Sequence, residues 1–202
     1  MFRGAAADGL GSQPAPVSFH ADPETGPPRG IRWKVPLPGL GHSSPVVWGD
    51  RVFVTTAIAS SPEEAVKKGL YFGGERKAPA DEHRYVVYCV DFQTGRILWE
   101  KEVHKGVPPG PRHLKNSFAS ETPVTDGQMV YAYFGNVGVF ALDMAGKLVW
   151  EKRFPPVRTR FGWGTAASAA LAASTRLSAA RSVSLPGLEA LAAMSCNSIC
   201  AA

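Results

Sequence analysis

The chain has 202 residues, of which 45% are hydrophobic and 19% charged, and its formal net charge is +5. This length allows one domain with a sizeable core. The sequence contains no run of about eighteen apolar residues, so it does not predict a membrane-spanning helix. The Lys and Arg residues are interleaved with Asp and Glu. This arrangement favours a solvated basic surface over a nucleic-acid groove, which requires clustered cations.

Residues 1–30 are predicted to form an N-terminal extended segment rich in Ala, Gly and Pro. The segment has no basic start followed by an apolar block, so no signal peptide is visible. Two interpretations stay open: the mature chain is cytosolic, or the start of the gene product is missing.

Residues 31–165 contain an internal repeat. The sequence of 89–101, C-V-D-F-Q-T-G-R-I-L-W-E-K, aligns with that of 141–152, A-L-D-M-A-G-K-L-V-W-E-K, and residues 44–54 align with 122–132. Asp91 and Asp143 are 52 positions apart. A repeat of about fifty residues is the size of a four-stranded propeller blade. Shorter matches at 32–34 and 164–168 indicate the end of a preceding copy and the start of a following one.

The first copy is interrupted by an insertion at residues 59–84. Ser61 is a suitable N-cap, Pro62 suits the first helical position, and Gly69 is a natural stop. We expect a helix of about two turns starting near Pro62, on a solvated loop. A partner-binding decoration is the alternative interpretation.

The second copy indicates how one unit folds. Turn sequences such as Asp126-Gly127 and Gly135-Asn136 separate segments rich in β-forming residues. The predicted strands are 122–125, 129–134, 137–142 and 147–154. Because helical periodicity is absent, we expect an antiparallel four-stranded meander and an all-β fold.

The turn before the last strand of each copy carries a family resemblance. The pattern Asp-x-x-Thr-Gly-Arg-x-x-Trp resembles the tryptophan-docking repeat of PQQ-like, quinoprotein-type β-propellers, although the second copy lacks the Thr and one turn residue. The matching structural positions are Asp91, Gly95, Trp99, Asp143, Gly146 and Trp150. The resemblance implies that each Trp packs between neighbouring blades and that each Gly closes a hairpin. Residues 31–165 are thus expected to be a β-propeller fragment of about two blades.

This family has two functional branches. One comprises quinoprotein dehydrogenases, which carry PQQ and calcium. The other comprises bacterial scaffold propellers, such as the lipoprotein of outer-membrane protein assembly. The chain has neither the adjacent Cys pair nor the C-x-x-C-H haem segment found in enzyme members. We therefore predict a scaffold with no catalytic residue, cofactor or metal. The alternative is a fragment of a PQQ-dependent dehydrogenase.

The resemblance also bears on partners and location. A protein partner or further propeller blades are the expected binding partners, and neither nucleic acid nor a membrane span is expected. A periplasmic or exported location is what the family resemblance implies.

Polar residues precede the first strand of each copy. In a propeller, the loops that enter first strands converge near the central channel, where ligands commonly bind. A candidate ligand site follows, made of His42, His113, Lys115, Asn116 and Glu121. The alternative is that loop polarity and capping account for the same residues.

Residues 166–202 do not continue the repeat. They contain 13 Ala and 7 Ser among 37 positions, a composition that no blade strand shares. We interpret them as a low-complexity tail outside the propeller that packs poorly. A coding-sequence break and an Ala-rich helical tail are the two explanations. Cys196 and Cys200 have no metal-site spacing, and Cys89 is expected to be a buried apolar side chain.

Two blades would leave open sheet edges. Three hypotheses follow: a truncated scaffold propeller, a truncated quinoprotein enzyme, or a short chain that completes its ring by oligomerising.

Overall fold

The computed structural model describes residues 18–22, 24–62, 69 and 76–171. The described residues form two antiparallel sheets of four strands each. Blade 1 contains β1 (Val46–Trp48), β2 (Arg51–Ala59), β3 (His83–Asp91) and β4 (Ile97–Gly106). Blade 2 contains β5 (Val124–Thr125), β6 (Met129–Phe134), β7 (Gly138–Asp143) and β8 (Leu148–Arg153). A 3-10 turn, Arg160–Gly162, follows blade 2.

Both blades are meanders in which the strands pair in sequence order. This architecture confirms the all-β prediction and the division into two propeller blades. The strand β6 has the predicted bounds, whereas β5 begins at Val124 rather than at residue 122. The reason is that the Thr122 backbone N–H donates to the Ser168 hydroxyl at 2.9 Å instead of joining the sheet.

The predicted insertion at 59–84 includes the outer ends of two paired strands. The strands β2 and β3 stay paired from Arg51↔Asp91 out to Ala59↔His83, so the connection between them runs over residues 60–82. The expected helix near Pro62 falls on residues 63–68, which lie outside the described part of the chain.

The strand β3 is buried on both faces because it lies between two packed layers. Its residues Tyr85, Val87 and Cys89 face blade 2, and the alternate residues Val86 and Tyr88 face the opposite side, where they join a separate cluster. Period-two alternation therefore places two apolar faces on one strand. Cys89 is fully buried, as expected, and burial raises the pKa of its thiol to about 11.

The main core lies between the two blades. Rings from both sheets meet there: Tyr85 of β3 contacts Phe134 of β6 edge-on, with ring centroids 5.2 Å apart. Within blade 1, the ring centroids of Phe53 (β2) and Trp99 (β4) are 6.0 Å apart. These side chains belong to one continuous buried cluster that includes residues of β2, β3, β6 and β7. The two blades thus share a single core.

A smaller cluster covers the far face of blade 2. Trp150 is partly buried there and lies 6.0 Å from the Tyr131 ring. Ala169 and Leu171, in the segment predicted to pack poorly, are also partly buried against this cluster. The first residues of the predicted tail therefore contact the blade, and residues from 172 onwards lie outside the described part of the chain.

Candidate functional site

The Asp of each repeat organises the turn before the last strand. One carboxylate oxygen of Asp91, Oδ1, accepts hydrogen bonds from the backbone N–H groups of Gln93 and Thr94, at 3.1 and 2.7 Å, and from the Thr94 hydroxyl. The hydrogen bond from the Thr94 side chain is the largest cause that lowers the pKa of Asp91. In blade 2, Asp143 Oδ1 accepts from the N–H groups of Ala145 and Lys147, each at 2.9 Å.

The Trp on the last strand of the preceding blade docks on this turn. Trp99 Nε1–H donates to the Met144 carbonyl oxygen at 3.1 Å, and its ring covers Gly146. A Cβ at Gly146 would lie only 2.6 Å from the ring, and the φ of Gly146 is +86°. Glycine is required there on both counts. Trp99 thus contacts blade 2 at the turn that contains Gly146.

Trp33 makes the same contact one repeat earlier. Its Nε1–H donates to the Phe92 carbonyl oxygen at 2.8 Å, and its ring covers Gly95. Phe92 follows Asp91 just as Met144 follows Asp143, so the two docking contacts are equivalent. Trp33 hence occupies the position of a last-strand Trp relative to blade 1, as the short match at 32–34 indicated.

A third Trp joins the blades in a way that the repeat did not indicate. Trp48, the last residue of β1, lies over Gly127 in the turn after β5. Nearby, Arg51 donates a hydrogen bond to the Met144 carbonyl oxygen. The second copy has Asp126 at the position that aligns with Trp48, so comparing the two copies gave no signal for this contact.

The five predicted ligand-site residues lie on the loops that enter the blades. Three of them contact one short segment around residues 163–165. His113 packs edge-on against Trp163, with ring centroids 5.2 Å apart. Asn116 Nδ2–H donates to the carbonyl oxygens of Trp163 and Thr165, both at 3.2 Å. The carboxylate of Glu121 accepts from the Thr165 hydroxyl at 2.9 Å.

The other two residues are exposed. The His42 side chain is exposed, and its backbone N–H donates to the Ala119 carbonyl oxygen at 3.0 Å. Lys115 is also exposed, and its ammonium group donates to the carbonyl oxygen of Gly69. The structure therefore brings His113, Asn116 and Glu121 to one junction but not His42 and Lys115.

Glu121 is a buried carboxyl group. Its side chain is 2% exposed, and burial raises the pKa of its carboxyl group to about 7. Its Oε1 also accepts from the Gly135 backbone N–H at 3.1 Å. These hydrogen bonds lower the pKa in part, but the desolvation of the carboxylate outweighs them.

Cavities near this junction differ greatly in size. The cavity beside Glu121 has a volume of about 10 Å³. Two larger and more open ones, of about 200 and 380 Å³, share Arg76 in their walls. The small cavity is at the lower limit for one water molecule, so it has no room for an organic ligand.

A row of hydroxyl groups links successive blade entries. The Ser44 backbone N–H donates to Thr122 Oγ1 at 3.1 Å, and the Thr122 N–H in turn donates to Ser168 Oγ. These three residues hold the same position in successive copies. Ser168 thus has the same hydrogen-bonding relation to Thr122 that Thr122 has to Ser44.

Within the described ranges, no group of three or more His, Cys, Asp and Glu side chains is arranged to hold a metal ion. No helix in that part of the chain has the length and apolarity needed to cross a membrane.

Comparison with known proteins gives the family. No curated protein matches the chain. The crystal structure of BamB from Moraxella catarrhalis is similar at 18% sequence identity and a TM-score of 0.29, over 68% of this chain and 46% of that one. This chain therefore spans less than half the length of that protein. The profile of the family described as outer membrane protein assembly factor BamB matches residues 19–160, well over half of the sequence. Together with its two four-stranded blades and repeated docking Trp, this match places the chain in the BamB-like family of PQQ-like repeat propellers.

Proposed function

We propose that this chain is an interaction scaffold that binds a protein partner or further propeller blades and performs no catalysis itself. The binding element is the segment of residues 31–37, which has no strand partner among the described residues and is called the entry strand below. The entry strand would add a strand to a sheet of the binding partner and so join that sheet to blade 1.

The backbone of the entry strand carries this proposal. Its alternate side chains Trp33, Val35 and Leu37 pack on blade 1, in the cluster that contains Tyr88. Among the described residues, no backbone N–H or C=O group of 31–37 forms a hydrogen bond with another backbone group. An extended segment anchored by its side chains, with its backbone groups still available, is suited to pairing with an added strand.

The position of the entry strand defines the kind of partner. Trp33 docks on blade 1 as Trp99 docks on blade 2, and Trp99 lies on β4, the outermost strand of its sheet. By analogy, the entry strand is the outermost strand of another sheet. The partner that fits it is an antiparallel sheet whose free edge pairs with residues 31–37.

The loop residues support a scaffold rather than an enzyme. His113, Asn116 and Glu121 are used to join loops to the segment around Thr165. A catalytic group must reach a substrate, and the cavity beside Glu121 is too small to admit one. The name of the matched family is that of an assembly factor for outer membrane proteins. This name supports a protein of that assembly process as the protein partner, alongside further propeller blades.

Photocrosslinking in the producing cell tests the binding element. A photoreactive amino acid at Pro36, which is exposed on the entry strand, should give a discrete adduct with the partner. Mass spectrometry should place the adduct on a β-strand of an outer membrane assembly protein or of a further blade. The matched control is the same amino acid at the exposed turn residue Gln128, where no such adduct should form. Equal adducts at both positions would contradict the proposal.

A titration tests the absence of catalysis. The purified chain is titrated with PQQ and calcium while Trp fluorescence and dye-linked alcohol oxidation are followed. We expect no saturable binding and no turnover. Saturable binding accompanied by turnover would instead support the dehydrogenase alternative.

A further inference from the structure

One carboxylate oxygen of Glu121 accepts hydrogen bonds from two separate parts of the chain. Its Oε1 accepts from the backbone N–H of Gly135, in the turn between β6 and β7, at 3.1 Å. The same atom accepts from the hydroxyl of Thr165, which lies after β8, at 2.9 Å. Glu121 itself lies just before β5. One carboxyl group therefore connects the start of blade 2, an internal turn of blade 2 and the segment that follows the blade.

The junction is packed too closely to hydrate a charge. A Cβ added at Gly135 would collide with both Thr165 Oγ1 and Glu121 Oε1. The adjoining cavity measures about 10 Å³, room for one water molecule at most. An ionised carboxylate there must rely on a few hydrogen bonds in place of bulk water, and this raises the free energy of the charged form.

The titratable neighbours of this carboxyl group are found among the side chains that line the adjoining cavity. Among the described residues that line the cavity, the titratable ones besides Glu121 are Tyr85, from β3, and Arg112, from the loop before β5. The Arg112 guanidinium donates to the carbonyl oxygens of Asn116 and His113, at 3.0 and 3.4 Å. It is held towards backbone carbonyls of its own loop.

We propose that Glu121 is a proton-operated latch. Protonation of its carboxyl group fastens the segment around Thr165 to the turn at Gly135, and ionisation loosens that segment. Protonation removes the buried charge, while Oε1 keeps its lone pairs for both hydrogen bonds. The latch controls how firmly residues 163–168, at the start of the third copy, are held to blade 2.

The direction of the pH effect follows from the burial of the group. Burial raises the pKa of Glu121 from its ordinary value of 4.5 to about 7. The closed junction therefore binds the proton more tightly than an open, hydrated junction does. The stabilising effect of the proton is fully present below pH 4.5 and is lost as the pH rises through about 7. The segment around Thr165 is therefore held more firmly to blade 2 at low pH than at high pH.

Hydrogen exchange of the full chain tests the latch. Protection factors of the Gly135 amide and of residues 163–168 are measured at about pH 5.5 and 8.5, with correction for the intrinsic exchange rate. The two pKa values set a ceiling of about 300-fold on the change. We expect the protection to fall by about tenfold or more from the lower to the higher pH. Amides of β3, such as that of Val87, serve as an internal reference and should not change in parallel.

Glu121→Gln is the decisive variant, since it is neutral and of similar size. Its protection at 163–168 should be nearly the same at both pH values. A pH effect that persists in Glu121→Gln, or a wild-type chain without any effect, would overturn the proposal. Should the variant not fold, the ¹³C carboxyl resonance of Glu121 in the wild-type chain gives the answer. A titration midpoint near pH 7 supports the latch, and one near 4.5 overturns it.

Discussion

Single glycines in the docking turns decide whether a Trp from the neighbouring blade can approach. Gly146 has a φ of +86° and lies beneath the Trp99 ring. Gly49 also has a positive φ, +56°, but no atom would lie within 4 Å of its added Cβ. The two positions share the backbone requirement and differ in the contact. This pair separates the conformational role of glycine from its docking role.

We predict that Gly146→Ala destabilises the chain far more than Gly49→Ala. The left-handed conformation costs an alanine about 1 kcal/mol at either position. At Gly146 the methyl group must also displace the Trp99 ring, which raises the total to about 3 kcal/mol or more. Urea denaturation of both variants measures the difference. Equal losses would mean that the Trp99 contact contributes little to stability.

The candidate site illustrates what sequence could and could not give at the residue scale. Alignment of the copies placed His113, Asn116 and Glu121 on one blade entry, and the structure brings them to one junction. Their burial was not predictable, because the donors to Glu121 are Gly135 and Thr165, which are 14 and 44 positions away. Charge and polarity indicated a ligand site there, and the contacts of Glu121 with these distant residues had no local signal in the sequence.

At the scale of strands, the repeat period and the turn dipeptides were sufficient. They located all four strands of blade 2 to within two residues, because each turn sequence admits few backbone conformations. Strand ends were less predictable. The register between β2 and β3 extends into the predicted insertion, since pairing continues as long as the partner strand does. Contacts between blades, such as Trp48 over Gly127, have no local signal.

The alternation within the entry strand leads to a prediction for a pair of neighbouring residues. Val35 packs on the outer face of blade 1, whereas Lys34 is exposed. Val35→Asp should destabilise the chain by about 2 kcal/mol or more, because it places a charge against an apolar cluster. Lys34→Asp should change stability by about 0.5 kcal/mol or less. Thermal melts of the two variants give the comparison. Similar melting temperatures would show that residues 31–37 do not pack as a strand.

At the scale of the whole molecule, the two blades are coupled through one buried cluster. That cluster takes side chains from β2, β3, β6 and β7, and Trp99 packs against it from β4. In repeat proteins, the interface between neighbouring units supplies much of the stability of each unit. A blade separated from its neighbour would expose this cluster to water. The fold therefore predicts that neither blade is stable without the other.

We expect the chain to unfold in one cooperative transition, and Trp99→Ala to divide or broaden it. Removing this side chain deletes its hydrogen bond to Met144 and its contact with Gly146, which cross between the blades, together with its ring contact with Phe53 inside blade 1. The total cost should be about 3 kcal/mol or more. Far-UV and near-UV circular dichroism should coincide through the wild-type transition and diverge in the variant.

Trp48→Ala is the matched control: Trp48 also lies between the blades but is 46% exposed, so its loss should lower the midpoint without dividing the transition. Two separate transitions in the wild-type chain would contradict the shared core, because blades that unfold independently cannot depend on one cluster for their stability.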